Sequence, residues 1–425
     1  MLGQQYFDSI CPGYSELSLL PYLSGSGCIQ WENHSYPVRW EISLPITGKL
    51  ALVLTTNRPF DPQLQVQPTD SKNLQTLTQW NFQGISDDNF WNIECHDVTI
   101  PRFKIECNAS LFQCVLFCHT HEIVIKRNQP NKPVKYIVSH IWNLSEGKFD
   151  FAIEDRHFSI APHGNIKNIL ELLQYEILTT SIVSTMTTEL LVGESTSDDA
   201  LKVIEEIEWL LSLITLNTTF APVQQFLSEN KDIVSWKIRS RYSFPMHNAG
   251  FLRNQHVPRA IQSFILQCGS KYLALDNKID LKMLTSMMTN TVNETSIEFK
   301  IAGIILCFEF FLSKLLLLYG DIDADKLETM NIQTKLGSLN RHLRFIGSDL
   351  RNDSIRSVYR NPLFHQGALP NLTLEQKIET YNKYMELLLQ IFLVIVGYTG
   401  EFVSPNGWSI QKSPSLPNGG DVPNF

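Results

Sequence analysis

Charge is scarce in this chain: Asp, Glu, Lys and Arg together make up 18% of its 425 residues, against 43% apolar residues. That is the reverse of the disordered signature, so most of the chain is expected to fold. Basic charge is scarcer still, with 35 Lys plus Arg against 43 Asp plus Glu and a net charge of −8. A polycation that coats nucleic acid or acidic lipid is excluded, and any nucleic-acid site has to be a local patch. Eight cysteines are too sparse for a disulfide scaffold and read as small apolar residues with free thiols. Glycine-rich phosphate loops and a Gly-X-Ser-X-Gly elbow are absent, which removes the best-marked nucleotide and serine-hydrolase sites.

Long apolar runs free of charge are missing as well. Ile301 to Tyr319 contains Glu309 and Lys314, and Leu387 to Tyr398 is about 12 residues long where a membrane crossing needs about 20. Both read as buried helices, so no membrane partner is expected. Met1 to Cys28 has no basic stretch followed by an apolar run and a small-residue cleavage site, and a cytoplasmic location is expected.

What is present changes texture along the chain. From Gly25 to about Phe158, short runs rich in strand-favouring residues alternate with Gly, Pro, Asn and Asp. Tyr36 to Leu44, Lys49 to Thr56, Ser110 to Ile125 and Lys135 to Trp142 are the clearest, and their spacing predicts a sandwich or jelly roll. Past Pro162 the apolar residues recur at helical intervals, predicting helices over Ile166 to Leu191 and Asp199 to Leu216. Ala221 to Leu227 and Ile233 to Ser243 then read as a strand pair. Helices follow over Pro258 to Leu275, Leu281 to Thr291, Glu294 to Tyr319, Ile332 to Ile346, Asp353 to Phe364 and Leu374 to Tyr398. The prolines and glycines after Ser404 predict a disordered tail. The fold class is therefore α+β: a β-rich, sandwich-like domain over 1–163, a mixed middle region over 164–255, an all-α bundle over 256–403 and a tail over 404–425.

Chemistry concentrates in one segment, Ser357-Val-Tyr-Arg-Asn-Pro-Leu-Phe-His-Gln-Gly367. It ends the densest run of positive charge: Arg341, Arg344, Arg351, Arg356 and Arg360 against Asp349 and Asp353. Arginine suits phosphate because its planar fork gives bidentate hydrogen bonds and stays protonated. Histidine, represented here by His365, is the side-chain type that exchanges a proton near neutral pH. On an ideal helix the two would differ by roughly 140° in direction and 7.5 Å in rise. Asn361-Pro362 reads as a cap and first turn, so a helix restart between Arg360 and His365 could aim both at one cavity.

Arg360-Asn-Pro-Leu-Phe-His365 resembles the Arg-X4-His signature of HEPN domains, in the variant with Asn directly after Arg. The surrounding order is also similar: a long apolar helix through Ile305-Leu-Cys-Phe-Glu-Phe-Phe-Leu312, a polar connection, the motif, and a last helix closing at Val396-Gly-Tyr-Thr-Gly400. A β-rich region ahead of such a bundle further resembles ApeA-type anti-phage proteins. The resemblance implies a helical bundle that pairs as a homodimer and cleaves RNA without metal or cofactor. The 2′-hydroxyl attacks the adjacent phosphate and leaves a 2′,3′-cyclic end, so DNA is not a substrate. It implies His365 as proton carrier, Arg360 as phosphate neutraliser and Asn361 as the orienting residue; Arg356, one turn before Arg360, would hold a second phosphate.

Rival readings are a non-catalytic bundle that binds RNA, a nucleotide or a partner protein, and a metalloenzyme at His119 and His121. Cys107, Cys114, Cys118 and these two histidines lie close in sequence, but no Cys-X2-Cys pair is among them, so no metal is expected. Asp321 to Asp325 opens like a calcium loop, yet Lys326 replaces its glycine and Ile332 its bidentate glutamate, so it reads as a helix-capping turn. Glu205, Glu206 and Glu208 read as the solvated face of a helix.

Overall fold

The computed structural model describes residues 18–45, 51–57, 66–68, 75–77, 79–108, 111–128, 132–144, 147–153, 155–164, 167, 181–191, 198–239, 250–252, 257–319, 322–344, 346, 355–405 and 410–414. The chain divides into two units that interleave in sequence. The first takes 1–145, 162–197 and 221–243; the second takes 146–161, 198–220 and 244–425. The expected middle region, 164–255, is thereby shared out, its strands going to the first unit and its helix to the second.

The first unit is antiparallel β. Its strands are β1 (Ser18–Trp31), β2 (His34–Pro45), β3 (Ala51–Thr56), β4 (Val66–Pro68), β5 (Gln75–Leu77), β6 (Trp80–Ser86), β7 (Trp91–Asn108), β8 (Leu111–His119), β9 (Glu122–Arg127) and β10 (Tyr136–Trp142). After a β11–β12 hairpin (Phe149–Ile153, Arg156–Pro162) that groups with the second unit come β13 (Ile182–Glu189), β14 (Val223–Leu227) and β15 (Ile233–Arg239). The large sheet of this unit runs β13-β10-β14-β15-β9-β7-β6-β1-β2-β3-β8, and β4 pairs separately with β5. Because β7 is 18 residues long, Asn92 to Val98 pairs β6 while Thr99 to Asn108 pairs β8. Those pairings close a ring, β7-β6-β1-β2-β3-β8, in place of a simple two-layer sandwich.

Glycine makes this ring possible where Trp40 enters it. Trp40 is fully buried, and a Cβ on Gly25 would sit 2.0 Å from the Ile85 carbonyl oxygen and 2.6 Å from the Trp40 ring. Bare backbone at the paired position is what the indole requires.

Two expectations change here. The helix predicted over Ile166 to Leu191 is, at its end, the strand β13; residues 168–180 lie outside the described residues. Ile-Val-Ser-Thr-Met-Thr-Thr-Glu is rich in β-branched side chains, and pairing with β10 buries its alternate face, outweighing the helical spacing. Ser110 to Ile125 is two strands that continue one antiparallel ladder on β7, β8 against Thr99–Asn108 and β9 against Trp91–His96, and the ladder is interrupted at Thr120, whose hydroxyl accepts from the Glu122 N–H and donates toward the His96 and Glu122 carbonyls.

The second unit is helical apart from two hairpins: α1 (Asp198–Thr215), α2 (Val257–Ile279), α3 (Leu281–Asn293), α4 (Ile297–Tyr319), α5 (Ala324–Thr329), α6 (Ile332–Leu343), α7 (Asn361–Gln366) and α8 (Leu374–Val396). A π-helical turn, Ile355–Arg360, runs straight into α7. Caps mark the starts. Asp280, Asp323 and Asn331 accept from the N–H three residues on, and Thr373 with Gln376 forms a capping box. Asp323 thus gives the acidic turn its helix-capping role.

α4 is the centre of this unit, packing against α2, α3, α6, α7, α8 and the π turn. It is long and apolar enough to cross a membrane by length and composition; here Ile301, Ile304, Ile305, Phe308, Phe311 and Leu315 are core. The acidic run on α1 is a correction. Glu208 is 1% exposed and Glu206 pairs with Lys282 of α3, so these two carboxylates are not on a solvated face, and burial raises the pKa of Glu206. The tail is corrected too where β16 (Glu401–Val403) pairs with β17 (Ile410–Lys412), burying Phe402.

Candidate functional site

The Arg360 to His365 segment is anchored to the bundle on both sides of its helical transition. Ile355 and Leu363 are buried. Tyr359 packs edge-on to Tyr384 of α8 at 6.0 Å, and Tyr384 packs edge-on to Phe308 of α4 at 6.0 Å. That chain of rings brings the π turn against the stretch of α4 where Glu309 follows Phe308.

Asn361 does not cap a new helix. Arg360 already has helical angles, φ −61° and ψ −55°, and makes no side-chain cap, so the π turn and α7 are continuous. Pro362 supplies the reason. Inside a helix it offers no N–H to the carbonyl four residues back and its ring crowds that carbonyl, and a π turn widens the helix just before it. The same widening replaces the α-helical register on which Arg356 and Arg360 share a face. Arg356 lies in the π turn, with its side chain outside the described atoms. Gly367, at φ 72°, ends α7 by giving its N–H to the Leu363 carbonyl.

Arg360 is not free. Its Nε donates to Glu309 Oε1 at 2.6 Å, with side-chain exposures of 37% and 28%, and its guanidinium lies 5.3 Å from the Phe364 ring centre. His365 is exposed on α7, and Asn361 is half-buried between the two. The site therefore presents an arginine held in place from two sides, with an imidazole open to solvent five residues on. Such a pair has the groups for neutralising a phosphate and moving a proton.

Glu309 and Phe364 are the members that motif reading misses. The available signal for Glu309 is a carboxylate inside an otherwise apolar stretch, Ile301 to Leu312. Beneath it, the Ser313 hydroxyl donates to the Glu309 carbonyl and accepts from Lys335 Nζ of α6.

Other sequence candidates scatter. Arg341 and Arg344 are exposed at the end of α6, and Arg351 lies outside the described residues. Cys114 and Cys118 are buried with Leu116, and burial pushes the Cys118 thiol well up. His121 is exposed, while the side chains of Cys107 and His119 lie outside the described atoms. Among the described residues no group of three His, Cys, Asp or Glu is placed to hold a metal. A cleft of about 270 Å³ lies between the start of α2 and the β16–β17 hairpin, with Arg259, Ser263, Tyr398 and Phe402 among its walls; no motif residue lines it. Comparison with protein-family models and with curated proteins gives no match.

Proposed function

We propose that this protein is a metal-independent endoribonuclease of the HEPN type that leaves 2′,3′-cyclic phosphate ends, acting in a defence or toxin setting. The observation that carries the proposal is the Arg360 guanidinium, fixed by Glu309 and Phe364 on a π-to-α transition whose next turn exposes His365. An arginine fixed before substrate arrives stabilises phosphorane charge without reorganising. His365 takes the 2′-hydroxyl proton or returns one to the leaving oxygen, Asn361 orients the phosphate, and Arg356 holds a second phosphate. DNA, lacking the 2′-hydroxyl, is not cut.

The reading includes a homodimer. Leu306, one turn before Glu309, together with Val358 and Phe364, leaves apolar surface exposed around Arg360, 41%, 41% and 46% respectively. A second copy would cover that surface and bring two motifs together. The β unit would then sense a trigger in the cytoplasm.

One observation favours the rival, a non-catalytic module that binds RNA, a nucleotide or a partner protein. Glu309 already neutralises Arg360 at 2.6 Å. The test is to incubate wild type and His365→Ala with mixed RNA in EDTA and identify the new 3′ ends. Cyclic-phosphate ends made by the wild type alone support the nuclease. Cleavage unchanged by the substitution removes His365 from it, and RNA binding without cleavage favours the module.

A further inference from the structure

We infer that single-stranded RNA runs from Arg360 along the seam between α4 and α6, with Arg341 and Arg344 holding its phosphates and the Tyr319–His342 stack lying under a base. The inference rests on the ribonuclease reading and adds the path by which substrate meets the site.

The geometry follows from three contacts in series. Arg360 meets α4 at Glu309, Lys335 of α6 meets it at Ser313 (2.8 Å), and His342 of α6 stacks on Tyr319 with ring centres 4.3 Å apart and planes within 6°. Both helices advance together between the last two contacts, six residues on α4 and seven on α6, so they lie side by side and run in the same direction. From Glu309 to Tyr319 the seam is about 15 Å long, room for a few nucleotides of an extended strand.

Beyond Glu309 the charged side chains on these two helices are all basic. After Glu309, α4 carries no further carboxylate, and α6 carries none at all. Lys335, 9% exposed, is spent as the clip between the helices. Arg341 and Arg344 stand exposed at the far end, and among the described residues neither makes an ion pair; Arg341 folds back so that its Nε donates to the Ser338 carbonyl at 3.4 Å. Arginines on a backbone track beside an aromatic platform are what a protein uses to hold single strands without reading sequence. This accounts for the local excess of arginine in a protein that is acidic overall.

The test uses the full chain and a short fluorescein-labelled 2′-O-methyl oligouridylate, which cannot be cut, with anisotropy read across a salt series at pH 8. Two phosphate contacts contribute about 0.7 each to the salt slope of a single strand. Arg341→Gln with Arg344→Gln should therefore lower the slope by about 1.4 and weaken binding about 25-fold at roughly 0.1 M salt, relative to convergence near 1 M. The corresponding double lysine substitution should restore the slope. His342→Ala should weaken binding about fivefold or more with the slope unchanged. Lys202→Gln with Lys231→Gln, an equal loss of charge elsewhere, should do neither.

An unchanged slope in the double glutamine variant, or an equal loss in the Lys202/Lys231 control, overturns the path. If the wild type still cuts ordinary RNA in EDTA, the nuclease reading survives that result. A wild type that neither binds the oligonucleotide nor cuts RNA removes both.

Discussion

Acid should destabilise the β unit through the buried His140 and the half-buried His163, both held below the usual imidazole range by burial, and the size of the effect can be worked out for His140. His140 stands on β10 between β13 and β14, opposite Thr185 and Val223, and is 7% exposed. Burial, with His163 beside it at 6.3 Å, pushes its pKa from 6.5 down to about 4. Above pH 6.5 the ring is neutral in both folded and unfolded chains and has no effect. Between 6.5 and 4 the unfolded chain takes up a proton that the folded chain refuses, so stability falls as pH falls. From pH 7.5 to 5 the loss is about 2 kcal/mol, and by pH 4 about 3 kcal/mol. Urea unfolding followed by tryptophan emission suits the measurement, since Trp31, Trp40, Trp80, Trp91, Trp142 and Trp236 all belong to this unit. His140→Leu removes the titration, so its stability should fall by about 2 kcal/mol less than that of the wild type over pH 7.5 to 5. Equal pH dependence in the two proteins would refute the argument.

Three further outcomes follow from particular contacts. Gly25→Ala forces a Cβ against the Ile85 carbonyl and the Trp40 ring, and should destabilise the β unit by about 1–3 kcal/mol in the same urea assay. A double-mutant cycle on Arg360 and Glu309 should give a stability coupling below about 1 kcal/mol, because both side chains are partly exposed and screened by solvent; a coupling of several kcal/mol would mean the pair is structural first. For activity, Glu309→Gln should lower cleavage if Glu309 serves to fix Arg360, with kcat falling more than KM changes. A rise in cleavage would make Glu309 a brake.

Much of this protein follows from local sequence. The charge-poor composition, the capped starts of α3, α5, α6 and α8, the hairpin of β14 and β15 and the apolar course of α4 are set by neighbours a few residues apart, where propensity and periodicity act. The motif Arg360, Asn361 and His365 is legible for the same reason. Tertiary structure decided what depends on distant partners. β13 became a strand because β10 offered it a ladder, and the β ring closed because β7 is long enough to pair on both sides. Residues 198–220 joined the helical unit, between stretches that went to the sheet. At the site, the sequence places a proline after Asn361, but only the packing of the π turn on α4 brings Arg360 to Glu309, 51 residues away. Short-range preferences are written residue by residue; which carboxylate an arginine finds is settled by burial, when the folded chain leaves few partners within reach.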